Sequence, residues 1–145
     1  DCAGICGGDA VEDECGVCGG DSSTCSLCES NEVEINGTCY NIQSTTNISF
    51  SYCNWTEIPS EIGEHKLLQK LNLSFNKISI LPPTIGGLRD LQEFIFCDNL
   101  IQYLPDEITN CHNLETLCGF KNYIPRIFLL SNFQLSKCQI IFNLV

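Results

Sequence analysis

Residues 68–90, LQKLNLSFNKISILPPTIGGLRD, follow the pattern L-x-x-L-x-L-x-x-N-x-I-x-x-L-P-x-x-I-x-x-L-x-x, and residues 91–113, LQEFIFCDNLIQYLPDEITNCHN, repeat it at once. The first of these copies fills the template with Leu68, Leu71, Leu73, Asn76, Ile78, Leu81, Pro82, Ile85 and Leu88. The second uses Leu91, Phe94, Phe96, Asn99, Ile101, Leu104, Pro105, Ile108 and Cys111. Outward from this pair the pattern weakens. Residues 45–67 keep Ile48, Phe50, Trp55, Ile58, Pro59 and Ile62, with Cys53 in the asparagine place and His65 where the last leucine belongs. Residues 114–136 keep Leu114, Leu117, Asn122, Ile124 and Ile127 and then lose the template.

The spacing has a physical cause. Apolar residues at positions 4 and 6 alternate like one face of a short strand, so the residues between them face outward. The asparagine at position 9 stands where the chain turns inward, and its amide can satisfy backbone groups that would otherwise be buried unpaired. The returning segment, L-P-x-x-I-x-x-L, spaces apolar residues three apart, which suits a short 3₁₀ or helical stretch behind the strand. Pro83 can begin such a stretch, while Gly86 and Gly87 argue against a long helix. By this reading Cys53 and Cys111 occupy buried positions as small apolar side chains. One such unit cannot bury its apolar face alone and requires neighbours and caps.

The array resembles leucine-rich repeats, over roughly residues 45–127. The fold class this implies is an α/β solenoid of short parallel strands with 3₁₀ or short helical returns, joined to a small, disulfide-rich, irregular N-terminal segment. In its L-P-x-x-I-G-x-L wording the array is closest to the intracellular Ras-group type. Residues 137–145, KCQIIFNLV, offer a further strand through Ile140 and Phe142, but the stretch from Phe120 to Leu130 fits poorly. Residues 120–145 therefore read either as an irregular cap or as a damaged or truncated gene model.

Composition changes upstream of the array. Residues 1–65 hold twelve acidic side chains and no Lys or Arg, whereas residues 66–145 hold six acidic and seven basic, so the net charge of −11 belongs to the N-terminal half. Of the twelve cysteines, seven fall in the first 39 residues, at Cys2, Cys6, Cys15, Cys18, Cys25, Cys28 and Cys39. With so few large apolar residues among them, this segment requires cross-links, and the seven are assigned to disulfides, the odd one pairing with Cys53, with a cysteine upstream of this chain, or not at all. The stretch DCAGICGGDAVEDECGVCGGDSSTC resembles the tandem cysteine–glycine–aspartate repeats of large secreted and cell-surface proteins. Its core, CGVCGGDSSTC, is also similar to the cysteine-rich region of thrombospondin-motif metalloproteases. That likeness implies an extracellular setting and brings no catalytic residue with it. The boundaries that follow are a cysteine-rich acidic repeat at 1–28, a linker or N-terminal cap at 29–44, repeats at 45–136 (45–67, 68–90, 91–113 and a degenerate 114–136), and a further strand or truncated end at 137–145.

Sequons at Asn36, Asn47, Asn54 and Asn72 favour the same secretory route as the cysteine cluster. The chain starts at Asp1, lacks methionine, and shows neither a signal peptide nor a membrane-spanning apolar run. It is expected to be a fragment of a longer secreted or cell-surface protein. Zinc at Cys15, Cys18, Cys25 and Cys28 is disfavoured, because the six residues between the pairs are fewer than zinc ribbons need. Asp1, Asp9, Asp13 and Asp21 could supply oxygen ligands to calcium, but no D-x-D-x-D-G loop is present, so calcium is weakly supported.

No catalytic constellation emerges and no cofactor is expected. His65 and His112 fall on returning segments as partly exposed imidazoles, away from any nucleophile motif or phosphate loop. The negative charge disfavours nucleic acid. Recognition of a protein ligand or co-receptor remains, and stacked repeats present it with columns of outward side chains on a concave sheet. Position 8 supplies Tyr52, Phe75, Asp98 and Lys121 as the principal contact residues, with Lys70 and Glu93 from position 3 and Asn72 from position 5 beside them. Cys97 and Cys118, at positions 7 and 5 of neighbouring strands, lie diagonal to each other, so a bridge between them depends on geometry. The leading reading is an adhesion or receptor ectodomain with a role in signal transduction. The alternatives are the ectodomain of a receptor kinase whose catalytic part lies elsewhere, and an intracellular Ras-group-type scaffold.

Overall fold

The computed structural model describes residues 28–35, 38–125 and 138–141. Two compact units divide the chain, Asp1–Tyr40 and Asn41–Val145. In the first, strands β1 (Glu32–Ile35) and β2 (Thr38–Asn41) pair in a two-stranded sheet. A disulfide joins Cys28 to Cys39, with Cα atoms 5.4 Å apart, and Ile35 is fully buried. Cys2, Cys6, Cys15, Cys18 and Cys25, the four aspartates considered for calcium, and the Asn36 sequon lie outside the described residues.

The second unit is the repeat array. Its five strands, β3 (Asn47–Ser49), β4 (Lys70–Asn72), β5 (Glu93–Ile95), β6 (Thr116–Cys118) and β7 (Gln139–Ile141), form one sheet in chain order, parallel throughout. Asn47, Lys70, Glu93, Thr116 and Gln139 stand side by side, each 23 residues beyond the last. The step holds across the degenerate copy, so β7 continues the register although residues 126–137 and Phe142 lie outside the described residues. Beyond each strand the backbone ladder runs on: the Phe50, Leu73 and Phe96 N–H groups donate to the carbonyls of Asn72, Ile95 and Cys118. Tyr52, Phe75 and Asp98 donate to Ser74, Cys97 and Phe120 in the same way.

The returns are 3₁₀ helices η1 (Ser60–Glu64), η2 (Pro83–Gly87) and η3 (Asp106–Asn110). Each follows a proline, at Pro59, Pro82 and Pro105, whose φ of −58°, −69° and −64° is what the pyrrolidine ring imposes. Their buried isoleucines, Ile62, Ile85 and Ile108, pack behind the strands. Gly86 does more than shorten the helix. A Cβ there would fall 2.4 Å from the Glu107 carbonyl oxygen, and one at Gly63 would fall 2.3 Å from that of Thr84. Small residues are therefore what allow successive returns to stack backbone against backbone.

Between sheet and returns lies the core. Leu68, Leu71, Leu73, Ile78, Leu81, Ile85 and Leu88 are buried together with Leu91, Phe94 and Phe96, and the last two rings lie 4.7 Å apart. The asparagines of position 9 tie one repeat to the one before. Trp55 N–H donates to Asn76 Oδ1 at 3.0 Å, while Asn76 Nδ2 donates to the Phe50 and Leu73 carbonyls at 2.7 and 2.8 Å. Asn99 does the same with Ile78, Leu73 and Phe96, and Asn122 with Ile101, Phe96 and Gly119. These amides satisfy groups that the inward turn would strand without water.

Two local expectations are corrected. Cys53 is exposed, its Sγ 3.5 Å from the Ser51 carbonyl, because the position 9 side chain reaches back to a preceding repeat and β3 is the first strand of this sheet. His65 is not partly exposed but fully buried, since position 21 belongs to the core in the next two copies as well, at Leu88 and Cys111. Burial lowers its pKa, with Glu64 opposing in part, and keeps the imidazole neutral. Cys111, at the same position two repeats on, is buried as its apolar spacing implies, and burial pushes its thiol up to about 11.

Candidate protein-binding face

With Ile48, Leu71, Phe94 and Leu117 turned into the core, the side chains on either side of them are left on the sheet's outer face. Lys70 and Glu93, neighbours in register, form an ion pair at 3.1 Å. They line a depression of about 360 Å³ together with Asn47, Ser49, Asn72 and Ile95. Asn72 is half-buried there, and its Oδ1 accepts the Ser74 N–H at 3.0 Å, which fixes the amide against its own strand end. Exposed Asn47 donates from Nδ2 to Thr46 Oγ1 at 3.2 Å. Two of the sequons, at Asn47 and Asn72, thus lie in the same depression as two of the expected contact residues, so glycans there and a protein bound there would compete for one surface. The third described sequon, at Asn54, is exposed.

The position 8 column is built differently. The rings of Tyr52 and Phe75 stack at 4.3 Å between centroids and 6° between planes, and the two side chains remain 73% and 43% exposed. Farther along, Lys121 Nζ lies 2.9 Å from Asp98 Oδ1. The column is thus two adjacent pairs, one aromatic and one ionic. Both ion pairs on this face are solvent-exposed on at least one side, so each contributes little to stability and leaves its charges open to a partner.

A backbone property of this column was not visible in the template. Tyr52, Phe75, Asp98 and Lys121 all adopt left-handed conformations, with φ of 61°, 59°, 54° and 55°. The chain leaves the strand there and must swing the next residue inward, which is how the position 9 asparagine reaches the core. Asn or Gly would take that conformation most easily, and bulky residues take it at a cost on the order of 1–2 kcal/mol. Repetition of the same torsion in four copies was the signal that sequence alone did not expose. A second feature, also unanticipated, is an open groove of about 780 Å³ lined by Tyr103, Tyr123, Pro83, Pro105, Asp106 and Glu107.

Among the described residues no helix is long and apolar enough to cross a membrane. The Cys28 and Cys39 sulfurs and a Glu32 carboxylate oxygen lie within 4.8 Å of one another, but the two sulfurs are bonded to each other. They are not a metal site.

No protein-family model matches the chain, and no curated protein matches it. Solved structures do. A leucine-rich-repeat protein of Leptospira interrogans is 34% identical with a TM-score of 0.62, over 67% of this chain and 25% of that one. The array has the leucine-rich-repeat fold. Internalin C2 of Listeria monocytogenes, 24% identical with a TM-score of 0.58, covers 68% of this chain and 41% of its own, and internalin F of the same organism, at 23% and 0.51, covers 60% and 25%. The chain therefore spans between a quarter and about two fifths of the length of these proteins. Leucine-rich-repeat neighbours point to a protein-interaction repeat domain.

Proposed function

We propose that this chain is part of an extracellular or cell-surface protein and binds a protein ligand or co-receptor through the outer face of its repeat sheet, without catalysing a reaction. The observation that carries the reading is the Tyr52–Phe75 stack: two large aromatic side chains, mostly or substantially exposed, in a backbone conformation that disfavours them. Nothing in the packing of the core requires aromatics at these two places. Aromatic anchors supply much of the energy of protein interfaces. Asp98 and Lys121 add opposite charges that orient a partner, with Lys70, Glu93 and Asn72 as the flank.

Support for the extracellular setting comes from the Cys28–Cys39 disulfide, the density of cysteines before it and the sequons. Membership of a receptor, with a kinase or other signalling part elsewhere in a longer chain, is compatible with this use of the array. An intracellular scaffold is the competing reading, favoured by the free thiols of Cys53, Cys97, Cys111, Cys118 and Cys138. The test is photocrosslinking with a benzophenone side chain placed either at position 75 or at Thr84 on a return. Adducts to the same surface-labelled protein from position 75 and none from position 84 are expected. Adducts only from position 84 would move the interface off the sheet.

A further inference from the structure

Cys97 and Cys118 are both half-buried, and their sulfurs lie 2.9 Å apart, closer than unbonded sulfurs ordinarily rest. Register alone would keep them apart. Cys118 stands opposite Ile95 on β5, so Cys97 is two residues farther along and its Cα lies on the diagonal. The left-handed turn begins at the next residue, Asp98. Here the Cys97 side chain leans across the repeat boundary far enough that its Sγ also lies 3.4 Å from the Cys118 carbonyl oxygen. The backbones on both sides are fixed: Phe96 N–H donates to the Cys118 carbonyl at 2.8 Å and Asp98 N–H to the Phe120 carbonyl at 2.8 Å. A bond of about 2.05 Å requires the sulfurs to approach by less than an ångström, which side-chain rotation can supply.

We propose that Cys97 and Cys118 are a redox-active dithiol on the outer face of the sheet, which low-molecular-weight disulfides such as oxidised glutathione convert to a disulfide that staples the third repeat to the fourth. Two exchanges accomplish it. The thiolate of one cysteine attacks the small disulfide, forming a mixed disulfide and releasing one thiol; the second cysteine then attacks the protein sulfur of the mixed disulfide and releases the other. Two protein S–H bonds are lost, one S–S bond forms, and one small disulfide becomes two thiols. Burial, together with contact with Cys118, pushes the Cys97 thiol up to about 11, so Cys97 itself is protonated at neutral pH. Its partial exposure leaves room for the small disulfide. The other three described free cysteines have backbone carbonyls as partners of their sulfurs: Cys111, enclosed in the core, that of Ile85 at 3.4 Å; exposed Cys53 that of Ser51 at 3.5 Å; and half-buried Cys138 that of Gln139 at 3.8 Å. This inference does not rest on the binding reading, because the staple would form whether or not the face is occupied.

The experiment incubates the full chain with oxidised glutathione, blocks remaining thiols with an alkylating agent in acid denaturant, and maps the peptides by mass spectrometry. The expected product joins the peptide of Cys97 to that of Cys118, 2 Da below the sum of the two thiol peptides. In Cys97→Ser and Cys118→Ser, whose folding is checked by circular dichroism, the remaining cysteine should carry a single glutathione and no intramolecular link. Adding denaturant before the oxidant should lower the ratio of linked to singly glutathionylated chain by at least about tenfold, because proximity then no longer favours the second exchange. Alkylation or glutathionylation of both cysteines in the folded chain would overturn the proposal, as would a preferred link from either to any other cysteine.

Discussion

The amide of Asn99 spans three backbone groups in two repeats: it accepts the Ile78 N–H at 3.0 Å and donates to the carbonyls of Leu73 at 2.9 Å and Phe96 at 3.1 Å. Replacement by alanine strands the buried Ile78 N–H and removes one of the two side-chain donors at each of the Leu73 and Phe96 carbonyls, which keep the amides of Asn76 and Asn122. Asn99→Ala should therefore destabilise the array by about 2–4 kcal/mol, whereas Cys53→Ala, at the same template position but exposed, should stay within about 0.5 kcal/mol. Chemical denaturation of the two variants measures both. Equal losses would mean that the ladder does not carry the stacking.

His65 makes stability depend on pH in a stated direction. Its pKa is lowered in the fold chiefly by burial, so below the ordinary value of 6.5 the unfolded chain takes up a proton that the folded chain resists. Stability contributed by the neutral imidazole is present above pH 6.5 and is lost as pH falls from there toward the depressed folded value. His65→Leu restores the residue type of the template and should flatten that decline. Melting temperatures of the two chains from pH 8 to 5 test it; parallel curves would show that His65 does not titrate with unfolding.

At Lys121 the left-handed backbone, φ 55°, predicts an unusual order of substitutions. Asparagine tolerates that conformation, so Lys121→Asn should leave stability unchanged or raise it by up to about 1 kcal/mol despite losing the Asp98 pair, which is exposed. Lys121→Val should cost about 1–2 kcal/mol, because a β-branched side chain tolerates it least. Denaturant midpoints for the two variants decide it, and valine above asparagine would refute the conformational argument.

Much of this fold was legible because its physics is periodic. The 23-residue spacing of Leu71, Phe94 and Leu117 predicted strands in parallel register, and Pro82 and Pro105 marked where the returns begin. Position 9 was read as a backbone-satisfying amide from asparagine chemistry alone. What escaped the reading depends on contacts rather than period. Cys53 looked buried by template, yet among the described residues no earlier strand of the sheet precedes β3 for it to bridge. His65 looked polar and therefore partly exposed, but its place in the stack outweighed its side-chain type. Gly86 looked like a helix breaker, while its closest constraint is the carbonyl of the neighbouring return. At the candidate site the sequence put Tyr52 and Phe75 in one column; their stacking, their left-handed backbone and the approach of Cys97 to Cys118 needed three dimensions.

The most direct test of the binding face is the affinity of the captured surface protein for Tyr52→Ala/Phe75→Ala beside that for a control carrying Glu61→Ala, Thr84→Ala and Glu107→Ala on the returns. Both aromatic side chains stand outside the core, so the double variant should retain its fold and lose on the order of 1–3 kcal/mol of binding, roughly five- to 150-fold in Kd. The control should bind like the parent chain. Unchanged affinity in the double variant, with loss of binding in the control, would contradict the assignment of the sheet face.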